Sequence, residues 1–252
     1  MSLVWVYAVQ EAGAGEAPDM SGVDGERPRV VGTEELAAVV GTVADDGFDE
    51  AGLAAAMEDL GRIEMLVRAH HGVVAATAQD RTVAPVRLAT VFRDDDAVTA
   101  MLRQRHDEFR AALDRVRGRR EWGVKVYVDG TAAPPPAPDA GAASTGDRPG
   151  TAYLLRRRAD RDRGAEARED ARAVAERVAG TAAACAVDVR RFAPQDARLS
   201  GRTQEMVLNA TFLVDRERED EFRDTVSRSG DGAVVEVTGP WPPFSFAAAE
   251  ES

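Results

Sequence analysis

His70 and His71 are the pair that first suggests chemistry, because imidazoles bind metals and move protons near neutral pH. Adjacent helical positions project about 100° apart, so two neighbouring rings rarely grip one ion. His70 falls on an apolar helical stripe and reads as a core histidine, His71 lies round toward the rim, and His106 completes no ligand set. Cys185 sits on a seam of small residues, where a thiol without an activating base behaves as a small hydrophobe. A lone cysteine also excludes an intrachain disulfide and a cysteine-built zinc site. The chain has no Gly-x-Ser-x-Gly elbow, phosphate-binding loop or dinucleotide fingerprint. Its 44 acidic residues make chance carboxylate pairs abundant, so their number is no sign of acid–base catalysis. The residues therefore point to no catalytic group, no cofactor and no metal.

Binding offers more. Arg156, Arg157, Arg158, Arg161 and Arg163 form a basic run, but Asp160, Asp162, Glu166, Glu169 and Asp170 interleave with it at helical spacing, which reads as a solvated, ion-paired face. Trp5, Tyr7, Arg87, Lys125 and Tyr127 lie on segments that alternate like strands, which allows several of them to share a helix-free sheet face. Such a face stacks RNA bases in some modules, but here the bases are few and no RNP-type run occurs. It suits a protein partner, or packing against a second domain. The closing GPWPPFSF, Gly239–Phe246, puts Trp241, Phe244 and Phe246 on a backbone stiffened by Pro240, Pro242 and Pro243. It reads as neither helix nor strand interior. It either docks across a domain interface or serves as a partner-binding arm.

The elements that must position these residues are legible from periodicity. Leu3–Val9 is apolar on both faces and predicts a central strand, with another over Leu36–Val43. A long helix starts at Asp49 with Leu53, Met57, Leu60, Ile63, Val67, His70 and Val74 along one stripe. Pro85–Phe92 reads as a strand, and Asp94–Asp96 cap a helix that buries Val98, Leu102, Phe109, Leu113 and Val116. In Glu121–Asp129, Trp122, Val124, Val126 and Val128 face one way, Lys125 and Tyr127 the other. Beyond Gly130–Gly150, rich in Pro, Ala and Gly, a helix over Thr151–Ala186 carries Ala171, Val174, Val178, Ala182 and Cys185. Strands follow at Val187–Phe192, Glu205–Val214 and Val234–Val237, with a short helix capped by Asp215 that turns Phe222 and Val226 inward.

This order predicts an α+β protein of two ferredoxin-like sandwich domains, residues 1–130 and 150–252, joined by a linker over 131–149. Gly13–Arg29 reads as a long exposed loop. Net charge is −12, and residues 1–50 hold 11 acids against 2 bases, so phosphate backbones are repelled. No apolar run approaches the roughly 20 residues that span a bilayer. A soluble, cytoplasmic protein that binds neither nucleic acid nor membrane is expected.

Five segments in order, LGRIEMLVRAHHGVVAA (Leu60–Ala76), APVRLATVFRDDDAV (Ala84–Val98), EWGVKVYV (Glu121–Val128), MVLNATFLVD (Met206–Asp215) and GPWPPFSF, resemble the GvpL/GvpF family of gas vesicle accessory proteins, the GvpF branch more than GvpL. The resemblance implies a two-domain α+β protein at the gas vesicle. It implies an accessory or minor structural role: binding the small hydrophobic shell protein, together with other accessory proteins, to prevent aggregation or nucleate assembly. It implies no enzymatic activity. Phe244 stands where the family tail carries tyrosine, a loss that matters little if the ring only packs. Trp5, Tyr7, Arg87, Lys125, Tyr127, Trp241 and Phe244 are then the candidate partner contacts. A single-stranded nucleic-acid module and an enzyme built on a carboxylate pair are the competing readings.

Overall fold

The computed structural model describes residues 2–44, 47–129, 149–195 and 204–247. The chain divides into two compact units, one of Met1–Trp122, Leu213–Glu217 and Gly239–Ser252, the other of Gly123–Phe212 and Arg218–Thr238. The α+β class is as the sequence predicts. The expected linker falls, apart from Pro149, outside the described residues. The GPWPPFSF tail, read from sequence as part of the second domain, groups with the first unit.

The first unit is built on β1 (Ser2–Glu11), every residue of which from Val4 to Gln10 is buried. Strands β2 (Arg29–Gly32), β3 (Leu36–Ala44) and β4 (Ala84–Pro85) complete the order β2-β3-β1-β4, and β5 (Val91–Phe92) also pairs with β1. The pairing of β1 with β3 is antiparallel and shifts between Val6↔Val40 and Ala8↔Val39, so Tyr7 is bulged. One extra residue reverses the parity of everything after it. Val4, Val6 and Val9 therefore share one core layer, while Trp5, Tyr7 and Ala8 share the other.

Both faces of this sheet are covered, which corrects the expected helix-free face. On one side, α3 (Asp95–Gln104) and α4 (His106–Val116) lay Val98, Leu102, Phe109 and Leu113 against Val4, Val6, Leu36 and Val40. Arg105 breaks what the periodicity presents as one helix. On the other side, α1 (Glu50–Glu58) and α2 (Leu60–Ala78) supply Ala56, Leu66, Val73 and Val74 against Trp5, Tyr7 and Val39. The long helix read from Asp49 is interrupted at Asp59, whose carboxylate caps α2 by accepting from the Gly61 and Arg62 amides. The break rotates the stripe, so Leu60 is 83% exposed while Leu66 and Val73 are buried. Likewise Pro85–Phe92 is two short strands separated by a turn in which Ala89 takes φ +64°.

The segment after β1 is more than an exposed loop. A 3₁₀ turn at Val23–Gly25 buries Val23, and the Val23 amide donates to the Tyr7 hydroxyl at 2.7 Å. Burial pushes the Tyr7 phenol up to about 12, so the hydroxyl stays protonated. Two glycines clear its space: a Cβ on Gly22 would collide with the Tyr7 oxygen, and one on Gly41 would lie 2.9 Å from it.

In the second unit, α5 (Pro149–Ala184) buries Ala171, Val178 and Ala182 of the expected seam, with Cys185 buried just beyond it; Val174 is only half-buried, and Ala175 and Ala179 are buried besides. The second sheet has the order β7-β8-β6-β9, from β6 (Arg119–Val128), β7 (Asp188–Arg191), β8 (Glu205–Asp215) and β9 (Val234–Trp241). Phe212 and Phe222 pack at 5.7 Å between ring centroids, the latter from α6 (Glu219–Ser227). Asp215 does not cap α6; it accepts from Arg119 at 2.9 Å, and a 3₁₀ turn over Arg216–Arg218 precedes the helix.

Gly41→Ala is expected to lower the stability of the first unit by about 1–3 kcal/mol, the cost of overpacking a fixed core. Tyr7→Phe in that background, which removes the obstructing oxygen, is expected to recover part of the loss. Urea unfolding of the three chains decides it; equal midpoints for Gly41→Ala and the parent contradict the packing argument.

Candidate functional site

The two histidines on α2 organise the surface that carries the tail. His70 is 1% exposed, and its Nδ1 accepts from the Trp5 indole N–H at 3.0 Å. That bond leaves the proton on Nε2, which donates to the Val86 carbonyl at 3.3 Å. Tyr7 tilts against the same ring at 5.5 Å between centroids. Burial, assisted by the neighbouring His71 charge, lowers the His70 pKa from 6.5 to about 4, against the opposing pull of the Val86 carbonyl. A neutral imidazole with both nitrogens engaged holds an aromatic core together and has no lone pair to offer a metal. His71, one position on, reaches the rim, and burial lowers its pKa as well. Among the described residues no group of three or more histidine, cysteine or acidic side chains is placed to hold a metal ion.

The tail docks onto this rim. β9 runs as an edge strand through a cis Gly239–Pro240 bond to Trp241, a place where proline's missing donor costs little. Pro242 and Pro243 then lead into a four-residue helix, α7 (Phe244–Ala247), where the sequence predicts no helix. Prolines before the first turn are compatible with helix because those N–H groups have no intrahelical partner. Phe244 stacks on His71 at 4.4 Å and 22°. Phe246 is 1% exposed and packs with Val116 and Leu213. The Glu121 carboxylate, itself buried, accepts from the Ser245 amide at 2.8 Å and from its hydroxyl at 2.6 Å. Neither Glu121 nor Ser245 was singled out from sequence: 124 positions separate them, and no local pattern announces the bond. With both phenylalanines engaged, Trp241 is left 53% exposed. Beside it opens a groove of about 510 Å³ lined in part by Arg81, Arg119, Arg120 and Arg216.

The residues expected to share one sheet face are not brought together. Trp5 and Tyr7 are wholly buried, because β1 is central and α2 covers that face. Arg87 is exposed on the turn between β4 and β5, where Thr90 Oγ1 donates to the Arg87 carbonyl at 2.7 Å. Lys125 and Tyr127 lie on β6, in the other sheet and the second unit, Lys125 half-buried and Tyr127 3% exposed. Of the seven candidates, Arg87 and Trp241 present the exposed surface, with Phe244 half-buried against His71.

Because folding depresses the His70 pKa, the unfolded chain takes up a proton that the folded chain refuses. Its contribution to stability is complete above about pH 6.5 and is lost as pH falls toward about 4. The loss approaches about 3 kcal/mol at its limit. His70→Gln is expected to lower stability at pH 7 but to flatten this acid limb; parallel pH profiles of the unfolding midpoint for both chains contradict it. Glu121→Ala leaves the Ser245 amide without its acceptor and is expected to cost about 1–3 kcal/mol. It is also expected to expose the tail to limited proteolysis ahead of global unfolding; an unchanged cleavage pattern contradicts the latch.

Residues 3–248 match the family described as gas vesicle synthesis protein GvpL/GvpF. The chain is 42% identical over 254 residues to gas vesicle protein L of Streptomyces sp. (strain CB03234), covering 99% of this chain and 94% of that one. It is 27% identical over 252 residues to gas vesicle protein F of the same strain, covering 96% and 98%. The identities thus lean toward the L relative of that strain, the reverse of the leaning read from the five segments. The fold resembles the crystal structure of GvpF from Anabaena sp. PCC7120, with a TM-score of 0.68 at 17% identity over 100% of this chain and 98% of that one. It also resembles GvpF from Microcystis aeruginosa, with a TM-score of 0.65 at 16% identity over 98% and 99%.

Proposed function

Because the chain belongs to the GvpL/GvpF family of gas vesicle proteins, we propose that it is an assembly accessory protein that binds the hydrophobic shell protein of the vesicle. By covering apolar surface on the free shell protein, it limits aggregation or helps nucleate the growing wall. It acts by binding rather than by catalysis, at the gas vesicle and alongside other accessory proteins. No described helix is long and apolar enough to cross a membrane.

The observation that carries this reading is the presentation of Trp241. A tryptophan 53% exposed is costly to leave in water, and here the exposure is enforced by anchors just beyond it in the chain. The Glu121–Ser245 hydrogen bonds, the Phe244–His71 stack and the burial of Phe246 fix the chain that follows it. A large aromatic on a stiff backbone loses little entropy on binding, which is why tryptophan and arginine dominate protein contacts. Arg87 stands on a turn held by the left-handed Ala89 and is the second contact. Lys125 is a third, on the second unit. Trp5, Tyr7 and Tyr127 serve the two cores.

Co-expression of the tagged protein with the major shell protein is expected to recover the shell protein specifically, against a tagged bystander. Trp241→Ala and Arg87→Ala are each expected to lower recovery several-fold without changing the thermal melt. Undiminished capture by both folded variants overturns the assignment of this surface, and no capture by any folded chain in the presence of the whole vesicle gene set overturns the function.

A further inference from the structure

The groove beside Trp241 combines several arginines with apolar side chains. The protein carries a net charge of −12, yet four arginines, Arg81, Arg119, Arg120 and Arg216, line one recess, with Asp80 as its acidic member. Arg119 is matched by Asp215 at 2.9 Å. Arg81 and Arg216 are held differently. Arg81 donates to the Glu16 carbonyl at 2.7 Å and Arg216 to the Ala78 carbonyl at 3.1 Å. Both acceptors are neutral, and among the described residues neither arginine enters an ion pair. Backbone oxygens thus fix the two side chains in position while leaving their charge, and most of their five donors, for something else.

The remainder of the groove mixes polar Gln79 and Thr82 with apolar side chains. Ala75, Ala78, Val83 and Val116 line it, and Trp241 forms one wall with the flanking prolines. A volume of about 510 Å³ is enough for several side chains of an incoming chain. We propose that this groove binds a short acidic peptide segment of a protein partner, its carboxylates paired with Arg81 and Arg216 and its apolar side chains seated against Trp241. Arginine forks and carboxylates match in geometry as well as charge, and the pairs are shorter and stronger than neutral hydrogen bonds. A nucleic acid fits less well. Its affinity grows with the number of phosphates neutralised, and one recess in an acidic protein offers few. The apolar lining residues also give nothing to a sugar–phosphate backbone. The inference deepens the assembly reading, from which it takes only that the partner is a protein.

Trp5 and Trp122 are buried, so a ligand-induced change in the fluorescence of the full-length protein reports on the exposed Trp241. An amidated 12-residue peptide of alternating glutamate and leucine is titrated, with a lysine–leucine peptide and a 12-nucleotide oligothymidylate as comparators. The glutamate peptide is expected to shift the emission and to bind less tightly as salt is raised. The Arg81→Glu, Arg216→Glu double variant is expected to bind it roughly tenfold or more weakly, with an unchanged thermal melt. Calorimetric titration of Trp241→Ala is expected to show a several-fold loss. Equal binding of the lysine peptide, tighter binding of the oligonucleotide, or undiminished binding by the double variant overturns the proposal. Loss of shell-protein capture with peptide binding intact overturns the assembly reading and leaves the groove standing; peptide failure with capture intact overturns the groove alone.

Discussion

A single buried imidazole sets the terms for the first unit. His70 lies in an apolar layer where an unpaired polar nitrogen is expensive, so both of its nitrogens must find partners inside the fold. Trp5 supplies one from the central strand and Val86 the other from the turn after β4. Three elements distant in sequence, β1, α2 and the β4–β5 turn, are thereby fixed to one ring. The same requirement fixes the tautomer and makes the ring a core group rather than a reactive one. Its neighbour His71 is then bound to emerge at the rim, because successive helical side chains diverge by about 100°. The tail stacks on that ring through Phe244, whose missing hydroxyl is of no consequence to a face-on contact.

Burial and exposure in this unit follow from how the aromatic residues are shared out. Trp5 and Tyr7 are consumed by the core, and Phe246 by a cluster with Val116 and Leu213. Glu121 adds two hydrogen bonds that hold α7 by its first turn, the end of a helix where a carboxylate is favoured. What the anchors leave outside is Trp241, set between prolines beside a basic recess in an acidic protein. The tail is thus a docked element that leaves Pro240 and Trp241 exposed rather than a free arm.

Much of this architecture was legible in the sequence, and the failures have identifiable causes. Apolar residues on both faces of Leu3–Val9 correctly marked a central strand, and Val98, Leu102, Phe109, Leu113 and Val116 are all buried as their spacing predicts. Periodicity, however, reports which face of an element is apolar and not what covers it. Trp5 and Tyr7 could be placed on one side of a strand, but the helix above them could not be inferred. One bulge at Tyr7 and one capping aspartate at Asp59 were enough to shift the parity of β1 and the stripe of α2. Both are local events that a regular period averages away. The Glu121–Ser245 contact and the arginine recess are assembled from residues scattered along the chain, and only the folded chain brings them together.

Amide hydrogen exchange at Ser245 and Ala247 tests this account most directly, since their amides donate to Glu121 and to the Pro243 carbonyl. If the tail is part of the first unit's core, both amides exchange as slowly as those of β1, through the global opening of that unit. Exchange at the rate of an unstructured segment, with β1 still protected, would mean that the tail is not docked and that Trp241 is not held outward by the fold.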